Sequence, residues 1–140
     1  MTDKVAVITG GGTGIGKAVA VRLAEKGWKL ALLGRRLDKL EAAGAAAGGD
    51  ALLIQCDVAD SAAVQAAFTQ IAGRYGRVDF LFNNAGMGAM PAEVDEHDIA
   101  AWDRVVSVNL SGCFYCAREA FGIMKRQTPR GGRLGYSAPG

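Results

Sequence analysis

The residues with the clearest chemical potential lie near the amino terminus, where an apolar run leads into Thr9-Gly10-Gly11-Gly12-Thr13-Gly14-Ile15-Gly16-Lys17. Glycines let a backbone approach a ligand closely, and the first N–H groups of a helix have no intrahelical acceptor. The positive end of the helix dipole adds about 0.3–1 kcal/mol of attraction for an anion. An apolar strand, a glycine-rich turn and a helix in this order therefore predict a phosphate-binding turn.

Three phosphate-binding patterns can be compared with this turn. G-x-G-x-x-G fits in no register, because no glycine stands at the required spacing. The P-loop pattern G-x-x-x-x-G-K-[ST] fits from Gly11 onward but fails at Ala18, which has no hydroxyl to hold Mg²⁺. T-G-x-x-x-G-x-G fits without a defect, at Thr9, Gly10, Gly14 and Gly16. A turn with a purely structural role remains the alternative.

Polar residues also follow three later apolar runs. Gly34-Arg35-Arg36 follows the second run, Asp57 the third, and Asn83-Asn84-Ala85-Gly86 the fourth. Ligands of an open parallel sheet bind beyond the carboxyl ends of the strands. If the four runs are parallel strands, their polar tips share one rim, which is then the predicted binding site.

The scaffold for these tips is visible in the apolar pattern. Strands are predicted at residues 4–9, 28–33, 51–56 and 78–82, with helices at 14–26 and 37–47 and from a cap at Asp60 or Ser61 to residue 74. Strict alternation with short connections predicts an α/β protein with a three-layer, doubly wound parallel sheet of Rossmann type.

A long helix is predicted at residues 99–126, with an inward stripe of Trp102, Val105, Val106, Asn109, Gly112, Cys113, Cys116 and Ala120. The amide of Asn109 requires a partner there. Residues 134–140 have turn composition, so we expect one domain over residues 1–133 and an irregular tail. Without a fifth strand, the outer edge of the fourth strand is expected to be open.

Composition narrows the function classes. Among 140 residues, 50% are hydrophobic and the net charge is +2, which does not favour nucleic acid or an anionic membrane as a partner. No apolar stretch reaches the roughly 18 residues of a transmembrane helix, and no signal peptide is recognisable, so a cytoplasmic protein is expected. Cys56, Cys113, Cys116 and His97 do not form a zinc pattern, so no metal is expected.

The glycine turn, Asn-Asn-Ala-Gly after the fourth strand and Asn109 in the long helix together resemble the short-chain dehydrogenase/reductase family over residues 4–133. The resemblance implies an NAD(P)-dependent oxidoreductase that transfers hydride between the dinucleotide and an alcohol or carbonyl substrate. It also implies association of identical subunits through the long helix, where Phe114, Arg118 and Phe121 are expected to face outward.

The resemblance also implies residue roles. Asp57 accepts a hydrogen bond from the adenine amino group, Val58 packs on the adenine ring, and Asn109 belongs to the catalytic tetrad. The residues expected against the cofactor are Gly10, Thr13, Gly14, Ile15, Gly16, Asn83, Ala85 and Gly86. Two alternatives stay open: Asp57 as a helix cap, and Asn109 as a satisfied core amide.

The residues after the second strand bear on the choice of cofactor. A carboxylate there favours NAD, because it binds the ribose hydroxyls and repels the 2′-phosphate of NADP. This chain has Gly34 followed by Arg35 and Arg36, and guanidinium groups match a phosphate well. NADP is therefore predicted over NAD, although Thr13 supplies no additional positive charge.

The family pattern breaks near the carboxyl terminus. The resemblance calls for a fifth strand that bears a catalytic Ser and then Tyr-x-x-x-Lys on the next helix, but the position four residues after Tyr136 is Gly140 and Ser137 directly follows Tyr136. The 140 residues are therefore expected to be an incomplete enzyme sequence, inactive alone. The alternatives are a nucleotide-binding or oligomerising module without turnover and, more remotely, a P-loop NTPase with Asp57 near Mg²⁺.

Overall fold

A five-stranded parallel sheet forms the centre of the chain in a computed structural model that describes residues 3–88 and 90–137. The strands are β1 (Val5–Thr9), β2 (Lys29–Gly34), β3 (Leu52–Gln55), β4 (Phe80–Asn83) and β5 (Arg133–Tyr136). Their spatial order is β3-β2-β1-β4-β5, and every neighbouring pair is parallel. The predicted doubly wound α/β architecture is confirmed.

Helices cover both faces of the sheet. They are α1 (Gly14–Glu25), α2 (Leu37–Ala46), α3 (Ser61–Tyr75), α4 (Ile99–Val106) and α5 (Gly112–Met124), with a 3₁₀ turn at Val94–Glu96 and a π-helical segment at Ser107–Ser111. Within the described residues, no helix is long and apolar enough to cross a membrane.

Alternate residues of β1 supply two separate cores. Val7 packs in the core that contains Phe68 of α3 and Cys116 of α5, whereas Ile8 packs in the core that contains Ala20 of α1 and Leu40 of α2. A strand buried on both faces needs apolar residues at consecutive positions, which is why the first run is continuous rather than alternating.

The chain winds from β1 toward β2 on one side and reaches β4 on the other, so the strand order reverses at β1. Thr9, the last residue of β1, ties the two directions together because its Oγ1 accepts hydrogen bonds from the backbone N–H groups of Asn84 (3.0 Å) and Ala85 (2.9 Å). A crevice for ligands opens at such a reversal.

The predicted irregular tail is wrong for its first three residues, Leu134, Gly135 and Tyr136, which belong to β5. This strand pairs with β4 from Phe80↔Arg133 to Asn83↔Tyr136, so the outer edge of β4 is covered and not open. Backbone pairing with β4 holds this strand in place. Gly135 permits its close approach to β4, because a Cβ at this position would lie 3.0 Å from the Phe80 ring. Residues 138–140 of the predicted tail lie outside the described residues.

The predicted long helix is divided by its π-helical segment. Trp102 was expected to face inward but is 60% exposed, whereas Val108 is buried. A π-helical turn holds more residues than an α-helical turn, so the inward stripe of α5 does not continue in phase onto α4. Gly112, Cys116 and Ala120 of that stripe are buried as expected.

The end of α5 is fastened to the sheet by Gln127, which is buried. Its Oε1 accepts the N–H of Val78 (2.9 Å), and its Nε2 donates to the carbonyls of Val78 (2.8 Å) and Gly131 (2.8 Å). A side chain thus satisfies three backbone groups at the entrance to β4.

Replacing Gln127 should therefore be costly. Gln127→Ala leaves buried backbone groups without partners and is expected to lower the free energy of unfolding by about 2–3 kcal/mol. Gln70→Ala, at an exposed position of α3, is the control and should change it by less than about 0.5 kcal/mol. Urea denaturation measures both; equal effects would contradict the role given to Gln127.

Candidate functional site

Two adjoining hollows lie along the carboxyl edge of the sheet and share Asn84, Ala85 and Gly86 in their walls. The first hollow extends over the ends of β2 and β3; of the predicted residues, it is lined by Gly10, Thr13, Arg35, Arg36, Asp57 and Val58. The second extends toward β5 and is lined by Ile15, Asn83 and Asn109. The two hollows thus adjoin along the rim expected from the sequence, but Gly14 and Gly16 line neither of them, and Gly14 lines a separate hollow along α1.

The glycine turn between β1 and α1 has the shape that a phosphate site needs. Gly10 and Gly14 have φ values of +62° and +55°. A Cβ at Gly16 would strike the carbonyl oxygen of Gly10 and lie 2.5 Å from Nδ2 of Asn84. Thr13 precedes α1 in extended conformation and its side chain caps no N–H, so the first N–H groups of α1 remain available to an anion.

The two arginines after β2 have different surroundings. Arg36 forms an ion pair with Asp38 on α2 (3.1 Å). Among the described residues, the Arg35 guanidinium has no hydrogen bond or ion pair, and only its backbone carbonyl is engaged, by Gln55 (3.0 Å). Lys39, which sequence reasoning missed, lines the same hollow. Its place in the first turn of the helix predicted at residues 37–47, three residues after Arg36, was the available signal.

Asp57 lies at the end of β3 with both carboxylate oxygens engaged. Oδ1 accepts the N–H of Ala59 (3.0 Å) and Oδ2 accepts Nη2 of Arg104 on α4 (2.8 Å). Burial opposes ionisation, but the hydrogen bonds from Arg104 and Ala59, with the charges of Arg104 and Arg35, outweigh it and lower the pKa of Asp57. Asp57 is therefore a carboxylate at neutral pH.

The cap of α3 is Asp60, whose side chain accepts the N–H groups of Ala62 (3.0 Å) and Ala63 (3.2 Å). The structure thus decides between the two predicted caps, Asp60 and Ser61. It also removes the alternative in which Asp57 caps that helix.

An apolar wall stands beside Asp57. Val58 is buried, and Val108 from the π-helical segment lines the same hollow. A Cβ at Gly112 would lie 2.6 Å from Val58, so this glycine lets the helix approach the end of β3. Val108 was not expected at the site, because no regular helical pattern places it beside Val58.

The second hollow is organised by paired amides. Asn109 donates to the carbonyl of Met87 (2.9 Å) and accepts its N–H (2.9 Å), so its side chain is satisfied as the alternative interpretation stated. Asn84 donates to the carbonyl of Gly10 (3.1 Å) and accepts from the Ser137 hydroxyl (2.8 Å). Ser137, directly after β5, therefore lines the second hollow. It was predicted to lie in an irregular tail, and this position was not predicted.

The three thiols lie on or near this rim. Burial raises the pKa of Cys56 to about 11 and that of Cys116 to about 12, so both are protonated thiols in the core. Cys113 lines the second hollow, and burial raises its pKa as well. Among residues 3–88 and 90–137, no group of three His, Cys, Asp or Glu side chains is placed to hold a metal ion.

The close approach at Gly16 generates a test. Gly16→Ala should displace Gly10 or Asn84 and lower the free energy of unfolding by about 1–3 kcal/mol. Gly73→Ala is the matched control, because a Cβ at this helical glycine meets nothing within 4 Å and should stabilise the chain by about 0.5–1 kcal/mol. Thermal unfolding of the two variants should therefore shift in opposite directions; equal shifts would contradict the packing described.

Comparison with known proteins gives a consistent result. The family model described as short chain dehydrogenase matches residues 4–134. Levodione reductase of Leifsonia aquatica is 41% identical over 131 residues, which cover 90% of this chain and 49% of that protein. The chain spans about half the length of the curated relatives it matches.

Solved structures agree closely with the fold. A crystal structure of levodione reductase has a TM-score of 0.92 and 39% identity, covering 99% of this chain and 55% of that chain. NAD⁺-bound xylitol dehydrogenase has a TM-score of 0.91 and 35% identity (98% and 53%). A metagenomic short-chain oxidoreductase in complex with NADP has a TM-score of 0.90 and 33% identity (99% and 64%). Because the family model matches nearly all of its residues and its sheet agrees with solved relatives, this chain belongs to the short-chain dehydrogenase/reductase family.

Proposed function

We propose that this chain binds NADP(H) along the two hollows as part of an oxidoreductase that transfers hydride between NADP(H) and an alcohol or carbonyl compound. The observation that carries the proposal is the placement on one rim of the uncapped start of α1, the Asp57 carboxylate and the Arg35 guanidinium, which forms no ion pair among residues 3–88 and 90–137. The family uses NAD(P), and solved relatives were obtained with NAD⁺ and with NADP.

The residues present fit such a cofactor. The N–H groups at the start of α1 would hold the diphosphate, since a glycine at position 16 keeps the turn close to the helix. Asp57 would accept from the adenine amino group, and Val58 and Val108 would pack on the ring. When bound, the nicotinamide ring supplies or accepts the hydride.

Arg35 is the residue proposed to select NADP. Its guanidinium forms no hydrogen bond or ion pair in the described part of the chain and can give charge-assisted hydrogen bonds to the 2′-phosphate, whereas that of Arg36 is engaged by Asp38. The acidic side chain in the wall of the first hollow, Asp57, is itself paired with Arg104, so it repels a phosphate less than a free carboxylate does.

Asn109 is the tetrad position that these residues supply. Its side chain is hydrogen-bonded to the backbone N–H and carbonyl of Met87 in the wall of the second hollow. The side chain of Asn109 therefore orients the backbone at Met87. The 140 residues contain no Tyr-x-x-x-Lys to exchange a proton with a substrate oxygen. We propose that these residues alone bind the dinucleotide without turnover.

The second candidate is a module whose whole function is to bind nucleotide or to associate with itself, with no part in hydride transfer. The exposed rings of Phe114 and Phe121 on α5, beside the Arg118 side chain, favour it as a surface for a second copy. Covering phenyl rings that are exposed to water lowers the free energy, so homo-oligomerisation through α5 is proposed for either function. A cytoplasmic location stays a prediction from the sequence. The family match does not favour the P-loop interpretation.

The cofactor preference is tested by nucleotide fluorescence. The 140-residue chain is expected to bind NADPH more tightly than NADH. Arg35→Met should weaken NADPH binding by about 10- to 100-fold, which corresponds to one lost charge-assisted contact, and leave NADH within about twofold. Arg36→Met is the control with a smaller effect, because Asp38 already engages this side chain. Equal affinities of the unmodified chain for the two nucleotides would remove Arg35 from this role.

Turnover is tested separately with the same protein. Incubated with NADPH or NADP⁺ and a panel of ketones and alcohols, the 140-residue chain should show no absorbance change at the nicotinamide band above that of buffer. Dehydrogenase activity that follows the purified chain would contradict the proposal that these residues lack a complete proton path.

A further inference from the structure

We infer that Arg104 is a positioning residue that sets the orientation of the Asp57 carboxylate and thereby the preference of this site for adenine. The inference rests on the proposed function, because it concerns how one end of the dinucleotide is recognised. It stands on the Asp57–Arg104 contact, which links the end of β3 to a helix 47 residues later in the chain.

The carboxylate of Asp57 is held from two directions. Ala59 N–H donates to Oδ1 from the loop after β3, and Arg104 Nη2 donates to Oδ2 from α4. The Ala59 contact is local and spans two residues, so it does not fix the side chain against the rest of the molecule. Arg104 supplies a second reference, because α4 continues directly into the π-helical segment, where Val108 is buried and Asn109 is hydrogen-bonded to the backbone of Met87.

Acceptor capacity remains for a ligand. A carboxylate has about four lone-pair positions, of which these two contacts use two. Both side chains are 36% exposed, so water or a ligand can reach the pair. The arrangement therefore presents an ionised acceptor of fixed direction to a donor in the first hollow.

The neighbours of the pair indicate which donor is expected. Val58 follows Asp57, and Val108 lies one helical turn after Arg104; both line the first hollow. Two apolar side chains beside an oriented acceptor suit a flat heteroaromatic ring that carries an amino group at its edge. Adenine has this chemistry, whereas hypoxanthine has an oxygen in place of the amino group, and its donor at that edge is the ring N1–H.

The pair also restrains α4. Within residues 3–88 and 90–137, it is the side-chain hydrogen bond that joins α4 to the sheet, and α4 contributes no buried residue of its own. A purely structural role would therefore alter α4 and leave base recognition unchanged. The two roles predict different results when Arg104 is replaced.

The experiment compares NADPH with its hypoxanthine analogue in fluorescence titrations of the 140-residue chain. The unmodified chain should prefer NADPH by about tenfold or more, as expected for a hydrogen bond to a charged group. Arg104→Met should weaken NADPH binding by about 3- to 10-fold, because the freed carboxylate must be immobilised on binding, and leave the analogue within about twofold. Arg104→Lys should restore most of the preference, because a single nitrogen makes the contact.

Three further variants keep the outcome interpretable. Arg22→Met, which removes the exposed Arg22–Glu25 pair on α1, is the matched control and should leave the preference unchanged. Asp57→Asn should lose the preference, and adding Arg104→Met to it should change neither affinity further. Additive effects of the two substitutions would overturn the inference.

The failures are distinguishable. If Arg104→Met weakens both nucleotides equally, or leaves the preference intact, Arg104 does not position the acceptor, although the proposed function stands. If Arg104→Met does not fold, Arg104→Lys and Asp57→Asn decide: loss of the preference in the lysine variant, or its retention in the asparagine variant, overturns the inference. If the unmodified chain binds neither nucleotide, the proposed function fails, and this inference fails with it.

Discussion

Burial of β1 on both faces and both edges is the constraint on which the rest of the structure depends. Its five residues are almost fully inaccessible, with β2 on one side and β4 on the other. Complete burial of one valine or isoleucine side chain is worth about 1.5–3 kcal/mol, so a displacement of this strand would be costly. The position of β1 in turn fixes where the glycine turn and the ends of its neighbours meet.

The polar rim follows from that arrangement. Thr9 ends the buried strand and uses one oxygen to hold two N–H groups after β4, which brings Asn84 under the glycine turn. Asn84 then holds Gly10, and Gly16 allows α1 to start against both. The groove is thus held by hydrogen bonds to the backbone, and the charged side chains of Arg35 and Asp57 line its first hollow.

Much of this could be predicted from the sequence, because consecutive apolar residues and short connections restrict parallel strands to few arrangements. The four strand ends and the residues after them lie together as expected. Strand β5 could not be predicted, since it is held by backbone pairing with β4 and its Gly135 is needed beside the Phe80 ring. The predicted inward orientation of Trp102 was also wrong, because a single π-helical turn leaves no periodic pattern in the sequence. The Arg104–Asp57 pair joins residues too distant in sequence for any local pattern to indicate it.

The central claim is that the four strand ends form one dinucleotide site, and hydrogen–deuterium exchange with and without saturating NADPH tests it most directly. The account predicts slower exchange in peptides covering residues 9–17, 33–37, 56–60 and 83–88, with peptides at the opposite edge of the sheet, such as residues 26–29 and 76–79, unchanged. Protection limited to the glycine turn, or protection at the opposite edge, would contradict it.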